Sequence, residues 1–127
     1  MTVAAPVSKQ ELLSNAITAL RGALPDLVGV LVTTTDGLPV AQSLNPGTDG
    51  NRVAAMAATA LGLGHRINET LGSGKLTEYS VRCSVSQIYV YATGTKGALA
   101  VIAPAASNLG LLHLESREAA SYIAGIL

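Results

Sequence analysis

A chain of 127 residues, 49% of them apolar, is long enough for one domain around a single buried core. Eight Lys and Arg balance eight Asp and Glu, and the basic residues Lys9, Arg21, Arg52, Arg66, Lys75, Arg82, Lys96 and Arg117 form no run, which argues against a nucleic-acid binder. The one cysteine, Cys83, has no partner for an intrachain disulfide or a thiol-pair metal site, and no apolar stretch reaches the roughly 18 residues of a membrane helix.

The start, MTVAAPVSKQ, lacks a charged n-region followed by an apolar h-region, so the expected compartment is the cytoplasm, without membrane insertion. Residues 1–7 read as a flexible tail and 8–127 as one domain. Ser8-Lys9-Gln10-Glu11 reads as a capping box that opens a helix, whose apolar face of Leu13, Ala16, Ile17, Leu20 and Leu24 runs up to Pro25. Residues 27–34, LVGVLVTT, form a β-branched run expected to be a strand covered on both faces. Asp36-Gly37 fits a two-residue type I′ hairpin, returning through PVAQSL, 39–44. Pro39 cannot donate to a ladder, which assigns this strand to a sheet edge.

Asn45-Pro46-Gly47 is a turn, and Asp49 caps a helix expected over 50–71. After Gly72-Ser73-Gly74 come three strands, 76–83, 86–92 and 98–103. The last of these, ALAVIA, is apolar at every position and therefore central. A final helix spans 107–126, with Leu112, Ala119, Ile123 and Ile126 on one stripe. The order α-β-β-α-β-β-β-α implies an α+β fold, a five-stranded antiparallel sheet with helices on both faces.

No segment carries a convincing active site. Gly74-Lys75 is followed by Leu76, and Glu69 stands where a Walker A loop needs its first glycine. Gly62-Leu63-Gly64 has Ile67 where a dinucleotide loop needs glycine. His65 and Glu69, four apart on a helix, supply two metal ligands where a closed site needs four. Cys83 is expected as a small buried filler alternating with Tyr79 and Val81, and His113 as a partly buried polar residue. The expectation is a non-enzymatic protein with no cofactor.

The long helix is more informative. At 100° per residue, Val53, Ala57, Ala60, Gly64, Ile67 and Leu71, flanked by Met56 and Leu63, form the stripe expected on the sheet. A second stripe carries Ala54, Ala58, Leu61 and His65, and a third, mostly polar, carries Arg52, Ala55, Thr59, Gly62, Arg66 and Glu69. A helix apolar over so much of its circumference is normally buried on more than one side, so the second stripe is the candidate subunit seam.

VGVLVTTTDGLPVAQSL, the alanine-rich helix after it and the block ending GALAVIAPAASNLGLLHLESREA resemble the roadblock/dynein light-chain family over about residues 8–126. The resemblance implies a roadblock/profilin-like sandwich, a structural role for the Asp36-Gly37 turn and a homodimer. It also implies a regulator that binds a small Ras-like GTPase and modulates its nucleotide cycle, or a scaffold subunit of a signalling or motor complex. On that reading Ala54, Ala58, Leu61 and His65 meet across the two-fold, and Arg52, Thr59, Arg66 and Glu69 form the partner platform.

Overall fold

The computed structural model describes residues 6–127, so most of the tail expected over 1–7 lies outside the described residues. The elements follow the expected order: α1 (Lys9–Ala23), β1 (Gly29–Thr34), β2 (Pro39–Leu44), α2 (Gly50–Leu71), β3 (Glu78–Arg82), β4 (Ser86–Thr93), β5 (Gly97–Pro104) and α3 (Leu109–Ile126). Each helix start is capped by the side chain that its sequence supplies. Ser8 Oγ accepts from Glu11 N–H at 3.1 Å, Asp49 Oδ1 from Asn51 N–H at 3.1 Å, and Asn108 Oδ1 from Leu111 N–H at 3.2 Å. Gly72, with φ 62°, closes α2 in the left-handed conformation.

The strands form one antiparallel sheet in the order β2-β1-β5-β4-β3. β1 and β5 lie inside it and are buried almost throughout, as the β-branched run of the first and the apolar run of the second suggest. β2, which begins at Pro39, is one edge and β3 the other. α1 and α3 cover one face over a core that includes Leu13, Ile17, Leu20, Leu99, Val101, Tyr91 and Ile123. α2 covers the other face over a smaller core of Leu31, Val53, Ala54, Ala57, Leu61, Val90, Ala98 and Ala100.

Two local expectations need correction. The β1–β2 turn is not type I′, because among the described residues every positive φ belongs to a glycine, so Asp36 is right-handed. Thr34 O accepts from Gly37 N–H at 3.1 Å and Leu38 O from Thr34 N–H at 2.9 Å, with Gly37 at φ 85°. This is a three-residue loop, Thr35-Asp36-Gly37, a type I turn followed by a left-handed glycine. Cys83 is exposed rather than buried, because β3 ends at Arg82 and leaves Cys83 in the turn to β4.

Gly37 also leans against α2. A Cβ there would lie 3.2 Å from Ala55 Cα and 3.6 Å from Ala58 Cβ. Gly37→Val therefore meets both a disfavoured φ and a helix backbone, and is expected to lower stability by more than about 1 kcal/mol. Asp36→Asn is expected to be silent, since Asn also suits that turn position. Urea melts of the two variants measure both, and equal stability of Gly37→Val and the parent would contradict this account of the turn.

Candidate protein-interaction surface

Helix α2 sits on the sheet through small residues. Ala54 and Ala57 are buried against Leu31, Ala98 and Ala100. Gly64 meets Leu76, whose Cδ2 would lie 2.8 Å from an added Cβ. That close packing offsets the roughly 1 kcal/mol that a glycine costs inside a helix. Gly62, by contrast, faces open space.

This seat corrects part of the expected division of α2: Val53, Ala57 and Gly64 are buried on the sheet as expected, but the arc extends the other way. Ala54, at 0% exposure, and Leu61, at 4%, lie beneath the helix in the core and cannot form a subunit seam. Ala58 is half-buried beside the Gly37 turn, and His65 is exposed at the mouth of a hollow near Lys75 and Thr77. At 100° per residue the buried arc is turned by roughly 50° from the expected one. Ala54, Ala57 and Gly64 let the helix lie against Ala98 and Ala100 of the sheet with Val53 and Leu61 packed among them, which leaves the arc of Met56, Leu63, Ile67 and Leu71 outward. Met56, Leu63, Ile67 and Leu71, expected on the sheet, are 60%, 46%, 47% and 70% exposed.

These four, with half-buried Ala60, form an uncovered apolar stripe along one side of α2. It continues onto the sheet at Val81, which shares a side of β3 with Tyr79 and is 44% exposed. The polar residues expected outward are outward: Arg52, Thr59, Arg66 and Glu69 are all exposed. Arg52 Nε pairs with Asp49 at 3.5 Å, and Thr59 Oγ1 donates back to Ala55 O at 2.9 Å.

The two sheet edges differ. Along β2, Gln10 Nε2 donates to Val40 O at 2.8 Å and Arg21 Nη1 to Ser43 O at 2.9 Å. Along β3, Cys83 N–H donates to Ser86 O and Ala92 N–H to Thr77 O, which turns the backbone groups of Thr77, Tyr79 and Val81 toward β4. Those of Glu78, Ser80 and Arg82 consequently point away from the sheet. Among the described residues no side chain bonds to them, so β3 is the open edge.

The underside of β3 is tied to α3 by a polar cluster that the sequence did not reveal. Glu78 Oε1 accepts from Arg117 Nη2 at 2.6 Å, and its Oε2 lies 3.3 Å from His113 Nδ1, which is 2.8 Å from Tyr91 Oη. Tyr91 is 2% exposed, and burial, reinforced by the nearby Glu78 charge, holds its phenol well above the ordinary tyrosine pKa. The hydrogen bond and charge of Glu78 raise Arg117 in turn. The only foreshadowing in sequence was the half-polar pattern of α3. Among the described residues, no group of three or more His, Cys, Asp or Glu is arranged to hold a metal, and no helix is long and apolar enough to cross a membrane.

Residues 13–103 match the Roadblock/LC7 domain. An uncharacterised protein of Methanocaldococcus jannaschii is 32% identical over 95 residues, covering 75% of this chain and 82% of that protein. Among solved structures, Myxococcus xanthus MglB is similar at a TM-score of 0.86 and 14% identity, over 98% of this chain and 93% of that one. Acanthamoeba castellanii profilin II is similar at a TM-score of 0.64 and 12% identity, over 89% and 97% of the two chains. These structural likenesses establish the roadblock/profilin-like sandwich.

The Tyr91 environment has a pH signature. The unfolded phenol ionises near pH 10, whereas the folded one stays neutral, so this contribution to stability is complete below about pH 10 and is lost as pH rises. Stability measured by urea melts from neutral pH to the alkaline range is expected to fall less steeply above about pH 10 in Tyr91→Phe than in the parent. Identical slopes would mean that Tyr91 titrates as an exposed tyrosine does.

Proposed function

The chain belongs to the Roadblock/LC7 domain family, and from that premise we propose that it is a non-enzymatic homodimeric regulator that binds a small Ras-like GTPase. The observation that carries this reading is the continuity of two unsatisfied features: the open β3 edge and the apolar stripe of Met56, Leu63, Ile67 and Leu71 beside it. A two-fold axis beside β3 satisfies both at once. Antiparallel pairing of the two β3 strands fills the backbone groups of Glu78, Ser80 and Arg82, and the two α2 helices bury their stripes against each other. Stable interfaces typically bury about 1,600 Å² in total, to be drawn in this dimer from a helix pair together with a strand pair.

In such a dimer the exposed Arg52, Thr59 and Arg66 of both copies lie beside the seam on one surface, with Glu69 further out. A GTPase straddling the two-fold would engage both copies, giving two of these chains per GTPase. Neither Arg52 nor Arg66 is assigned as an arginine finger. The stripe acts by docking, and the GTPase's own groups carry out hydrolysis.

Two measurements test this. Light scattering at micromolar concentration is expected to give twice the chain mass for the parent and a monomer for Leu63→Arg combined with Ile67→Arg, with an unchanged fold by circular dichroism. A monomeric parent removes the dimer. Calorimetric titration of a Ras-like GTPase from the same organism, in GTP-analogue and GDP forms, is expected to show binding at two chains per GTPase. Changing Arg52, Thr59 and Arg66 to Glu is expected to weaken binding at least about tenfold, with the dimer intact. Binding without any change in hydrolysis or exchange rate would make the protein an adaptor, and no binding in either nucleotide state would end the GTPase reading.

A further inference from the structure

The face opposite α2 carries a second unfilled feature, independent of the dimer and GTPase readings. α1 and α3 run antiparallel, and between them lies a hollow of about 420 Å³. Ala16, Ala19 and Ala119 form its apolar floor, and Glu115, Glu118 and Tyr122 its α3 bank. One turn further along the same junction, a smaller hollow of about 110 Å³ opens beside Asp26 and Leu111. From Leu111 to Tyr122 the groove follows three turns of α3, roughly 16 Å.

Charge decides what fits there. Neither hollow is lined by a Lys, Arg or His. Three of the chain's eight acidic residues, Asp26, Glu115 and Glu118, stand along it, and among the described residues none of the three is in an ion pair. Tyr122 is 54% exposed and Leu111 42%. The result is an apolar trough with a carboxylate rim in a molecule whose formal net charge is zero.

The backbone chemistry narrows the occupant further. The two helices cover the sheet here, so no open strand edge lies in the groove. An extended segment laid in it would leave backbone groups unpaired, whereas a helix satisfies its own. We propose that the α1–α3 groove is a docking site for a basic amphipathic helix of a partner protein. That helix places apolar side chains at i, i+3 or i+4, and i+7 on the alanine floor, and its Lys or Arg against Glu115, Glu118 and Asp26.

The test uses the full chain and two synthetic 18-residue helical peptides with the same Leu stripe, one carrying Lys on its polar face and the other Glu. Fluorescence anisotropy is expected to show the Lys peptide binding at least about tenfold more tightly than the Glu peptide, with affinity falling several-fold between about 50 and 500 mM salt. Amide shifts in nuclear magnetic resonance spectra are expected at Ala16, Ala19, Ala119 and Tyr122, and not along α2. Glu115→Lys with Glu118→Lys is expected to abolish the preference. The milder Glu118→Gln reduces it without adding charge, which keeps the test valid if the double variant misfolds. Equal binding of the two peptides, no binding at about 1 mM, or shifts confined to α2 and β3 would overturn the proposal. So would a concentration-dependent self-association that Glu118→Lys reverses, because a second copy of this chain would then fill the groove.

Discussion

The seating of α2 on the sheet through alanine and glycine governs the rest of the molecule. Ala54, Ala57 and Gly64 on the helix meet Ala98 and Ala100 on β5 and Leu76 beyond the helix end, with Val53 and Leu61 packed among Leu31 and Val90. With that arc inward, Met56, Leu63 and Ile67 are left on the side of the helix away from the core. The same seat brings the Gly37 turn against Ala55 and Ala58, which adds crowding to the positive φ that already disfavours a side chain there.

The opposite layer is built differently. There two helices share the sheet, and the core contains the large side chains: leucines and isoleucines of α1 and α3, and Tyr89 and Tyr91 of β4. Tyrosines in a core need partners for their hydroxyls. Tyr89 Oη donates to Gln87 Oε1 at 2.8 Å, and Tyr91 Oη meets His113. That polar chain ends on Glu78 and Arg117, so the open edge strand β3 is anchored to α3 from below while its outer backbone groups stay free. β3 is thus held in place by β4 and α3 while its outer side stays an open edge.

The titratable groups that come together, Glu78, His113, Arg117 and Tyr91, are engaged with one another. The exposed surface is instead organised by apolarity and charge. One side carries an apolar stripe beside arginines, and the other an apolar groove beside carboxylates. These surfaces suit different partners, since one exposes backbone groups that need pairing and the other does not.

The element order, the interior places of β1 and β5, the edge place of β2 and the capped starts of α1 and α2 were legible in the amino-acid sequence. Those follow from local rules: Ser8 and Asp49 cap because their side chains reach nearby amides, and the β-branched run of β1 and the apolar run ALAVIA of β5 suit strands covered on both faces. The outward position of Arg52, Thr59, Arg66 and Glu69 was equally legible, because charge has one place to go. The rotation of α2 was not. Its circumference is apolar over so wide an arc that periodicity cannot distinguish a buried Leu61 from an exposed Leu63. Only the packing against the sheet, where Ala54, Ala57, Val53 and Leu61 meet Leu31, Val90, Ala98 and Ala100, decided which half faces inward. The contact of Glu78 with His113 and Arg117 was likewise settled in three dimensions, because it joins an edge strand to a helix more than thirty residues away, and no local pattern encodes a pairing at that distance.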